Sequence, residues 1–164
     1  MELSNHSITH HAPHSVIRTY QSADYQQVLQ LAQHYYIHLY DTPSATTQAF
    51  MLDMLHHDPD VHCLVVIDAH NIVGFILYTL HRYAGARINY LVVAAHARNK
   101  GYANSLVAAA IQHALLEHYE SIVVTVLETN SHAIDWYIKR GFVPIDNYNS
   151  YETELIYLEK NIKI

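Results

Sequence analysis

Residues 88–118 decide the fold, and they read INYLVVAAHARNKGYANSLVAAAIQHALLEH. The apolar run from Ile88 to Ala94 predicts a short strand, and a tight basic loop follows at Arg98–Gly101. From about Tyr102 the apolar side chains recur with helical spacing, which predicts a long amphipathic helix. The central unit of the chain is therefore a strand, a glycine loop and a helix N-terminus in that order.

This unit is suited to binding an anion at the start of its helix. The first backbone N–H groups of a helix lack helical acceptors, and the helix dipole places partial positive charge there. Gly101 allows the backbone to turn tightly and to approach a ligand closely, while Ala103 keeps the next contact small. Arg98 and Lys100 add charge of the sign that attracts a phosphate. The sequence therefore predicts that this loop holds the pyrophosphate of a cofactor.

Composition indicates one globular domain, because 51% of the 164 residues are apolar. The formal net charge is −6, and no basic tract occurs. This charge argues against nucleic acid as the main partner and weakly favours a cationic substrate. We expect a loose N-terminal leader at residues 1–14 and a single domain at residues 15–164.

The single cysteine, Cys63, lies in an apolar run, so we expect a buried, inert thiol rather than a nucleophile. The N-terminus shows no signal-peptide pattern. No apolar run approaches the length of about 18 residues that a membrane span needs. These features predict a cytoplasmic protein with no membrane partner.

Hydrophobic patterning predicts the element order β-α-α-β-β-β-α-β-α-β-β, which defines a mixed α/β domain. The strand at residues 122–127 is apolar on both faces, so we expect it to be central and parallel to a neighbour. Two closing strands are expected at residues 142–145 and 151–159.

A second motif lies about 30 residues after the glycine loop, where residues 130–142 read NSHAIDWYIKRGF. It matches the pattern N-x-x-A-x-x-x-Y-x-x-x-G-F, and RNKGYA at residues 98–103 matches Q/R-x-x-G-x-G/A. In this order, each after a predicted strand, the two motifs resemble the GNAT superfamily of acyl-CoA-dependent N-acetyltransferases. The resemblance covers nearly everything after Ser15. It implies the GNAT fold, a mixed, mostly antiparallel sheet of six to seven strands flanked by about four helices.

The resemblance also implies a site for acetyl-CoA as the co-substrate. The strand at residues 89–93 would splay from its neighbour and offer backbone groups to the pantetheine arm. Asn130 would contact that arm, and Tyr137 would be the general acid that protonates the leaving thiolate. The implied cofactor-binding residues are Leu91, Val92, Val93, Arg98, Asn99, Lys100, Gly101, Tyr102, Ala103, Asn130 and Ala133.

Physical considerations support some of these assignments and compete with others. A phenol is protonated at neutral pH, and a spacing of seven residues puts Asn130 and Tyr137 on the same side of a short helix. However, Asn130 also suits a plain helix N-cap, and Tyr137 also suits a packed core. Arg98 and Lys100 also suit a solvated loop, in which their backbone matters more than their side chains.

The general base is open, because Asn89 and Thr125 occupy the positions where the family often carries a carboxylate. Glu128 is the nearest carboxylate and the first candidate, with His81 as the second. A water chain that carries the proton to bulk, or an acceptor amine that arrives neutral, would also suffice.

The 15 histidines could instead indicate metal binding. His34 and His38 have i, i+4 spacing on the first predicted helix, and the leader contains His10, His11 and His14. No H-E-x-x-H pattern and no cysteine pair occurs, so surface histidines are favoured and no metal is expected.

We therefore predict an enzyme that moves the acetyl group of acetyl-CoA to a primary amine by direct attack in a ternary complex. Residues 62–93 most resemble the diamine and polyamine acetyltransferase branch. Polyamines, aminoacyl amines, arylalkyl amines and a protein N-terminus all stay open as small-molecule or peptide acceptors. By analogy with the fold, acceptor specificity is expected at residues 40–46, 83–87 and 146–151. The alternative is a non-catalytic acyl-CoA-binding or regulatory module, and the family implies that a homodimer is an option.

Overall fold

A computed structural model of the protein describes residues 15–36, 52–146 and 155–163. The expected leader at residues 1–14 lies outside the described residues. The same holds for the expected specificity segment at residues 40–46, for residues 147–151 of the closing loop, and for His38.

The described residues form one seven-stranded sheet in the order β1-β2-β3-β4-β5-β7-β6. Its neighbouring strands are antiparallel except β4 and β5, which are parallel. The predicted element order and the mixed, mostly antiparallel sheet are thus confirmed, and β5 is central as its apolar sequence predicts. The strands are β1 (Ser15–Thr19), β2 (Val61–Asp68), β3 (Asn71–His81), β4 (Gly85–Val93), β5 (Ser121–Leu127), β6 (Val143–Ile145) and β7 (Leu155–Asn161).

Helices cover both faces of the sheet. On the first, called the α1 face, lie α1 (Tyr25–Tyr36) and the described part of α2 (residues 52–57). On the second, called the α3 face, lie α3 (Tyr102–Leu116) and α4 (Ser131–Ile138). None of these described helices combines the length and the apolar character that crossing a membrane requires.

Each face has its own apolar core. On the α3 face, Leu106 of α3 is fully buried and packs with Ile88 of β4 and Val124 of β5. On the α1 face, Val28 of α1 is fully buried and packs with Phe75 of β3. Burying one such side chain stabilises the fold by about 1.5–3 kcal/mol, so the two cores hold the sheet between its helices.

Strands β4 and β5 pair over a short length only. Their register joins Ala86 to Ile122, Arg87 to Val123 and Ile88 to Val124. Beyond that point β4 continues to Val93 and β5 continues to Leu127 without pairing to each other. The two halves of the sheet therefore diverge, and an opening lies between the ends of these strands, as the resemblance implies.

Strand β4 contains a β-bulge at the point where this opening begins. Leu77 of β3 pairs with Tyr90, whereas the next residue, Tyr78, pairs with Ile88, so Asn89 has no partner in the register. Such an extra residue reverses the alternation of side chains along a strand. Accordingly Ile88 faces the α3 side, and Leu91, an odd number of residues later, packs on the same side. The sequence pattern alone did not indicate this bulge.

Candidate active site

The glycine loop has the geometry of an anion-binding turn at the start of α3. Gly101 is the N-cap residue with φ 82° and ψ 4°, and Asn99 also has a positive φ of 62°. The first hydrogen bond of the helix runs from the Ser105 N–H to the Gly101 carbonyl at 3.0 Å. The preceding N–H groups, of residues 102–104, lie in the first turn and have no intrahelical acceptor. The loop thus offers unpaired donors and the positive end of the helix dipole to a phosphate.

Asp68, at the end of β2, fastens this loop to the sheet. Its Oδ2 accepts a hydrogen bond from the Tyr102 hydroxyl at 2.8 Å and lies 3.1 Å from the Lys100 ammonium. The hydrogen bond from Tyr102, followed by that from Lys100, lowers the pKa of the Asp68 carboxyl. The Lys100 side chain therefore holds the loop against the end of β2. Sequence analysis missed Asp68, because only the fold brings a residue 32 positions away beside Lys100.

The β2–β3 hairpin places Asp68 at this position. Residues Ala69 and His70 form its two-residue turn, with Asp68 paired to Asn71, and both have positive φ values of 49° and 70°. Positive φ at both turn residues is the signature of a type I′ turn, whose twist matches that of the flanking strands. The tight turn leaves Asp68 at the strand end, next to the start of α3.

Strand β4 lies along one side of the opening and leads into the loop. The predicted pantetheine-binding residues Leu91, Val92 and Val93 all lie beyond the last β4–β5 pair. Arg98 folds back so that its Nε donates to the Val93 carbonyl at 3.2 Å. Any contact from this stretch to a ligand in the opening would therefore come chiefly from the backbone, since Val92 is buried on the α1 face.

Asn130 is the N-cap residue of α4. Its Oδ1 accepts a hydrogen bond from the Ala133 N–H at 3.1 Å. The structural role considered from sequence is therefore present. It uses only the side-chain oxygen, so the amide NH₂ group keeps two donors for a ligand. Both predicted cofactor residues of this turn, Asn130 and Ala133, thus lie together at the helix start.

Tyr137 lies buried on α4, with a relative exposure of 6%. Its ring makes edge contacts with Trp136 at 5.0 Å and with Phe142 at 5.1 Å between centroids. Burial raises the pKa of the Tyr137 phenol, and the nearby Arg140 acts in the opposite direction. The phenol therefore holds its proton at neutral pH, which is the state that a general acid requires.

Arg140 connects α4 to the start of α3. Its Nε donates to the Asn104 side-chain oxygen, and its Nη1 donates to the Trp136 carbonyl at 2.8 Å. Its guanidinium also stacks on the Trp136 ring, 3.6 Å from the centroid. Because Asn104 lies in the first turn of α3, these bonds fix the helix that carries Tyr137 relative to the glycine loop. Sequence analysis gave Arg140 no role at the site.

The candidate bases differ in their surroundings. Glu128 is exposed in the turn after β5. His81 uses its Nδ1 lone pair to accept hydrogen bonds from the Tyr83 and Ala84 N–H groups, at 3.2 and 3.0 Å. That nitrogen is therefore committed to the β3–β4 turn, at the end of β4 opposite the glycine loop. Among the described residues, no group of three or more His, Cys, Asp or Glu side chains is arranged to hold a metal ion.

The Acetyltransferase (GNAT) family model matches residues 25–142. The match spans most of the chain, so the protein belongs to this family. The prediction of an acetyl-CoA-dependent N-acetyltransferase is thereby confirmed at the level of the family. No curated protein sequence matches the chain.

Similar folds occur in solved acetyltransferases. A GNAT-family acetyltransferase from Staphylococcus aureus Mu50 has a TM-score of 0.79 at 15% identity, over 91% of this chain and 99% of that one. The PaiA N-acetyltransferase of Thermoplasma acidophilum, solved in complex with coenzyme A, has a TM-score of 0.73 at 17% identity, over 90% and 98%. The ribosomal-protein-S18-alanine N-acetyltransferase of Escherichia coli has a TM-score of 0.73 at 15% identity, over 92% of this chain and 95% of that one. These identities show the fold, and they do not confirm the diamine and polyamine branch.

Proposed function

We propose that the protein transfers the acetyl group of acetyl-CoA to a primary amine by direct attack in a ternary complex. The observation that carries this proposal is the pairing of β4 with β5 over three residues only, next to a helix start with unpaired N–H groups. A slender ligand with an anionic end fits such an opening. Coenzyme A is that kind of molecule, and a structural neighbour is solved in complex with it.

The proposed binding mode assigns each part of the site to one part of the co-substrate. Backbone N–H groups of residues 99–103 would receive the pyrophosphate, since the Arg98 N–H donates to the Ala95 carbonyl at 3.3 Å. Leu91, Val92 and Val93 would line the pantetheine arm with their backbone. The free NH₂ donors of Asn130 and the small side chain of Ala133 would lie on the other side of the pantetheine arm. Arg98 and Lys100 would contribute mainly by holding the loop in shape.

The proposed reaction needs one proton donor and one proton acceptor. The acceptor amine forms a C–N bond to the thioester carbon, the C–S bond breaks, and the departing sulfur takes the proton of the Tyr137 hydroxyl. The amine loses one proton to water or to Glu128, and bulk solvent then restores Tyr137. Neither Asn89 nor Thr125 can take that proton, so water access at the opening is part of the proposal.

The alternative function is a non-catalytic acyl-CoA-binding or regulatory module. It would use the same loop and opening without the proton donor. Burial keeps the Tyr137 phenol protonated, and both functions allow that state, so turnover is the observation that separates them.

The proposal is tested by measuring acetyl-CoA binding calorimetrically and then CoA release with a thiol reagent. The acceptors are spermidine, a diamine, free amino acids, an arylalkylamine and an N-terminal peptide. Binding followed by CoA release with one class of amine supports the enzyme, whereas binding without release supports the module. Absence of binding would contradict the assignment of residues 98–103. We further propose a cytoplasmic location, supported by the single buried cysteine, and the homodimer stays a prediction.

A further inference from the structure

A cationic side chain lies on the sheet next to the narrow end of the opening, on the face away from α3. Arg87 of β4 lies between Ala86 and Ile88, which both face the α3 core, so Arg87 points to the α1 face. Its Nη1 donates to the Thr125 hydroxyl at 2.9 Å, and its guanidinium lies 5.8 Å from the centroid of the Tyr157 ring. Three strands thus contribute to one half-buried cluster around a single positive charge.

This charge has no acidic partner among the residues that the structure describes. No carboxylate in that part of the chain lies within 4.0 Å of the Arg87 guanidinium. The nearby carboxylate on β7, Glu159, accepts a hydrogen bond from the Ser121 hydroxyl at 2.6 Å. A guanidinium has five N–H donors, and the single bond to Thr125 uses one of them. Donors therefore remain for an oxygen that a ligand brings.

A second donor without a partner lies at the start of the opening. The Asn89 Nδ2 is buried and makes no hydrogen bond to the described residues. Asn89 is the bulge residue of β4, two positions along the strand from Arg87. A buried NH₂ group without an acceptor is costly, so such groups usually meet water or a ligand. An NH₂ group can only donate, which means that the incoming atom is an acceptor.

We propose that the amine acetylated by this protein carries a carbonyl or carboxylate oxygen close to its nitrogen, and that Arg87 and Asn89 bind that oxygen. The chemical class is the α-amino group of an amino acid or of a peptide N-terminus, as opposed to a diamine or polyamine. This inference rests on the proposed function, since it describes the acceptor of the same reaction. It replaces the weak expectation of a cationic substrate, because the charge at the narrow end of the opening is positive although the whole chain is negative.

The test compares acceptors that differ in one feature. Free alanine, a peptide that begins with alanine, isopropylamine, 1,3-diaminopropane and spermidine are each measured for kcat/KM by CoA release. We expect alanine or the peptide to exceed isopropylamine, in which a methyl group replaces the carboxylate or carbonyl group, by at least about tenfold. Preference for free alanine identifies a carboxylate ligand, preference for the peptide identifies a carbonyl ligand, and either result supports the inference.

Variants test whether Arg87 causes this preference among acceptors. Arg87→Gln should lower kcat/KM for the preferred acceptor by about tenfold and leave acetyl-CoA binding unchanged, and Arg87→Lys should restore part of the loss. Arg82→Gln, which removes an exposed cation in the β3–β4 turn, is the matched control and should have no effect. If Arg87→Gln does not fold, the comparison of acceptors on the unaltered protein decides whether the inference holds. Rates with isopropylamine or spermidine as high as with alanine and the peptide would overturn the inference while N-acetylation stands. No CoA release with any amine would overturn both.

Discussion

The Tyr102 hydroxyl donates a 2.8 Å hydrogen bond to Asp68, so the first residue of α3 is fastened to the last residue of β2. Tyr102 is buried, and the same carboxylate oxygen holds Lys100 at 3.1 Å. The shape of the anion-binding turn therefore depends on a residue outside both sequence motifs. Coenzyme A binding is expected to depend on it as well.

Removing this fastening should weaken cofactor binding. We predict that Asp68→Asn raises the Kd for coenzyme A about threefold to fivefold, because the ion pair with Lys100 is lost at an exposed site where such pairs contribute little. The measurement is titration calorimetry at low salt. Glu120→Gln is the matched control, since Glu120 forms an exposed ion pair with Lys163 instead. Equal Kd values for all three proteins would contradict the role of Asp68.

The phenol of Tyr137 should matter for turnover and not for binding. We predict that Tyr137→Phe lowers kcat by about 10²–10⁴-fold while the Kd for coenzyme A changes less than about twofold. Phenylalanine keeps the contacts with Trp136 and Phe142, so the fold should persist. Tyr119→Phe removes a hydroxyl from a partly buried tyrosine beyond the C-terminal end of α3 and serves as the control. A Tyr137→Phe protein with unchanged kcat would favour the alternative module or another proton donor.

Two glycines provide a matched pair for the anion-binding turn. Gly101 and Gly85 have φ values of 82° and 85°, and a Cβ added at either would meet nothing within 4 Å. Alanine at each position should therefore cost a similar 1–2 kcal/mol or so of backbone strain, seen as a lower free energy of unfolding in urea. Only Gly101→Ala should also weaken coenzyme A binding. Equal binding by the two variants would argue against a special role for residue 101.

Stability should fall as the pH falls through the ordinary histidine range. Burial, followed by the neighbouring His113, lowers the pKa of His62 below its usual 6.5, although Asp60, Glu117 and Asp58 act in the opposite direction. Below pH 6.5 the unfolded chain binds a proton that native His62 does not, so acid favours unfolding until the native pKa is reached. We predict that Tm decreases from pH 7.5 to pH 5.5 and that His62→Phe makes this decrease smaller.

The His62→Phe variant is suitable because an aromatic ring can keep the stacking on Tyr78, where the centroids are 5.4 Å apart. His118→Asn is the control, since His118 is exposed and asparagine tolerates its positive φ of 66°. The pH dependence of Tm should be unchanged in this control. A steeper decrease in His62→Phe than in the unaltered protein would show that the sign is wrong.

The single thiol should be unreactive in the folded protein. Cys63 is 2% exposed, and burial raises its pKa, so both access and thiolate formation are suppressed. We predict that a thiol reagent modifies Cys63 slowly in the native state and completely in denaturant. A Cys63→Ala protein gives the background. Rapid native modification would contradict this prediction and would interfere with thiol detection of CoA release.

Local patterns were enough to predict the unit from β4 to α3, because a strand, a glycine turn and an amphipathic helix are each determined by residues that are close in sequence. The strand at 151–159 was placed less well, since β7 runs from Leu155 to Asn161 and residues 147–154 lie outside the described part of the chain. Periodicity gives the existence of such a strand more reliably than its ends.

Long-range features were not predictable in this way. The bulge at Asn89 follows from the register of β4 against β3, and the contact of Asp68 with Tyr102 follows from the hairpin geometry. The resemblance to the GNAT superfamily did single out Asn89, as a position without the usual carboxylate. It could not indicate that the Asn89 amide is buried and makes no hydrogen bond to the described residues.

The divergence of β4 from β5 leaves two strand edges inside the sheet instead of at its border. Exposed edges are liable to pair with strands of other molecules, and proteins usually shorten, charge or cover them. Here each edge faces the other across a wedge that narrows toward Ile88 and Val124, so a second polypeptide strand has no straight path along either. A thin, flexible chain can still enter. The same divergence that opens the sheet therefore leaves other molecules no long strand edge with which to pair.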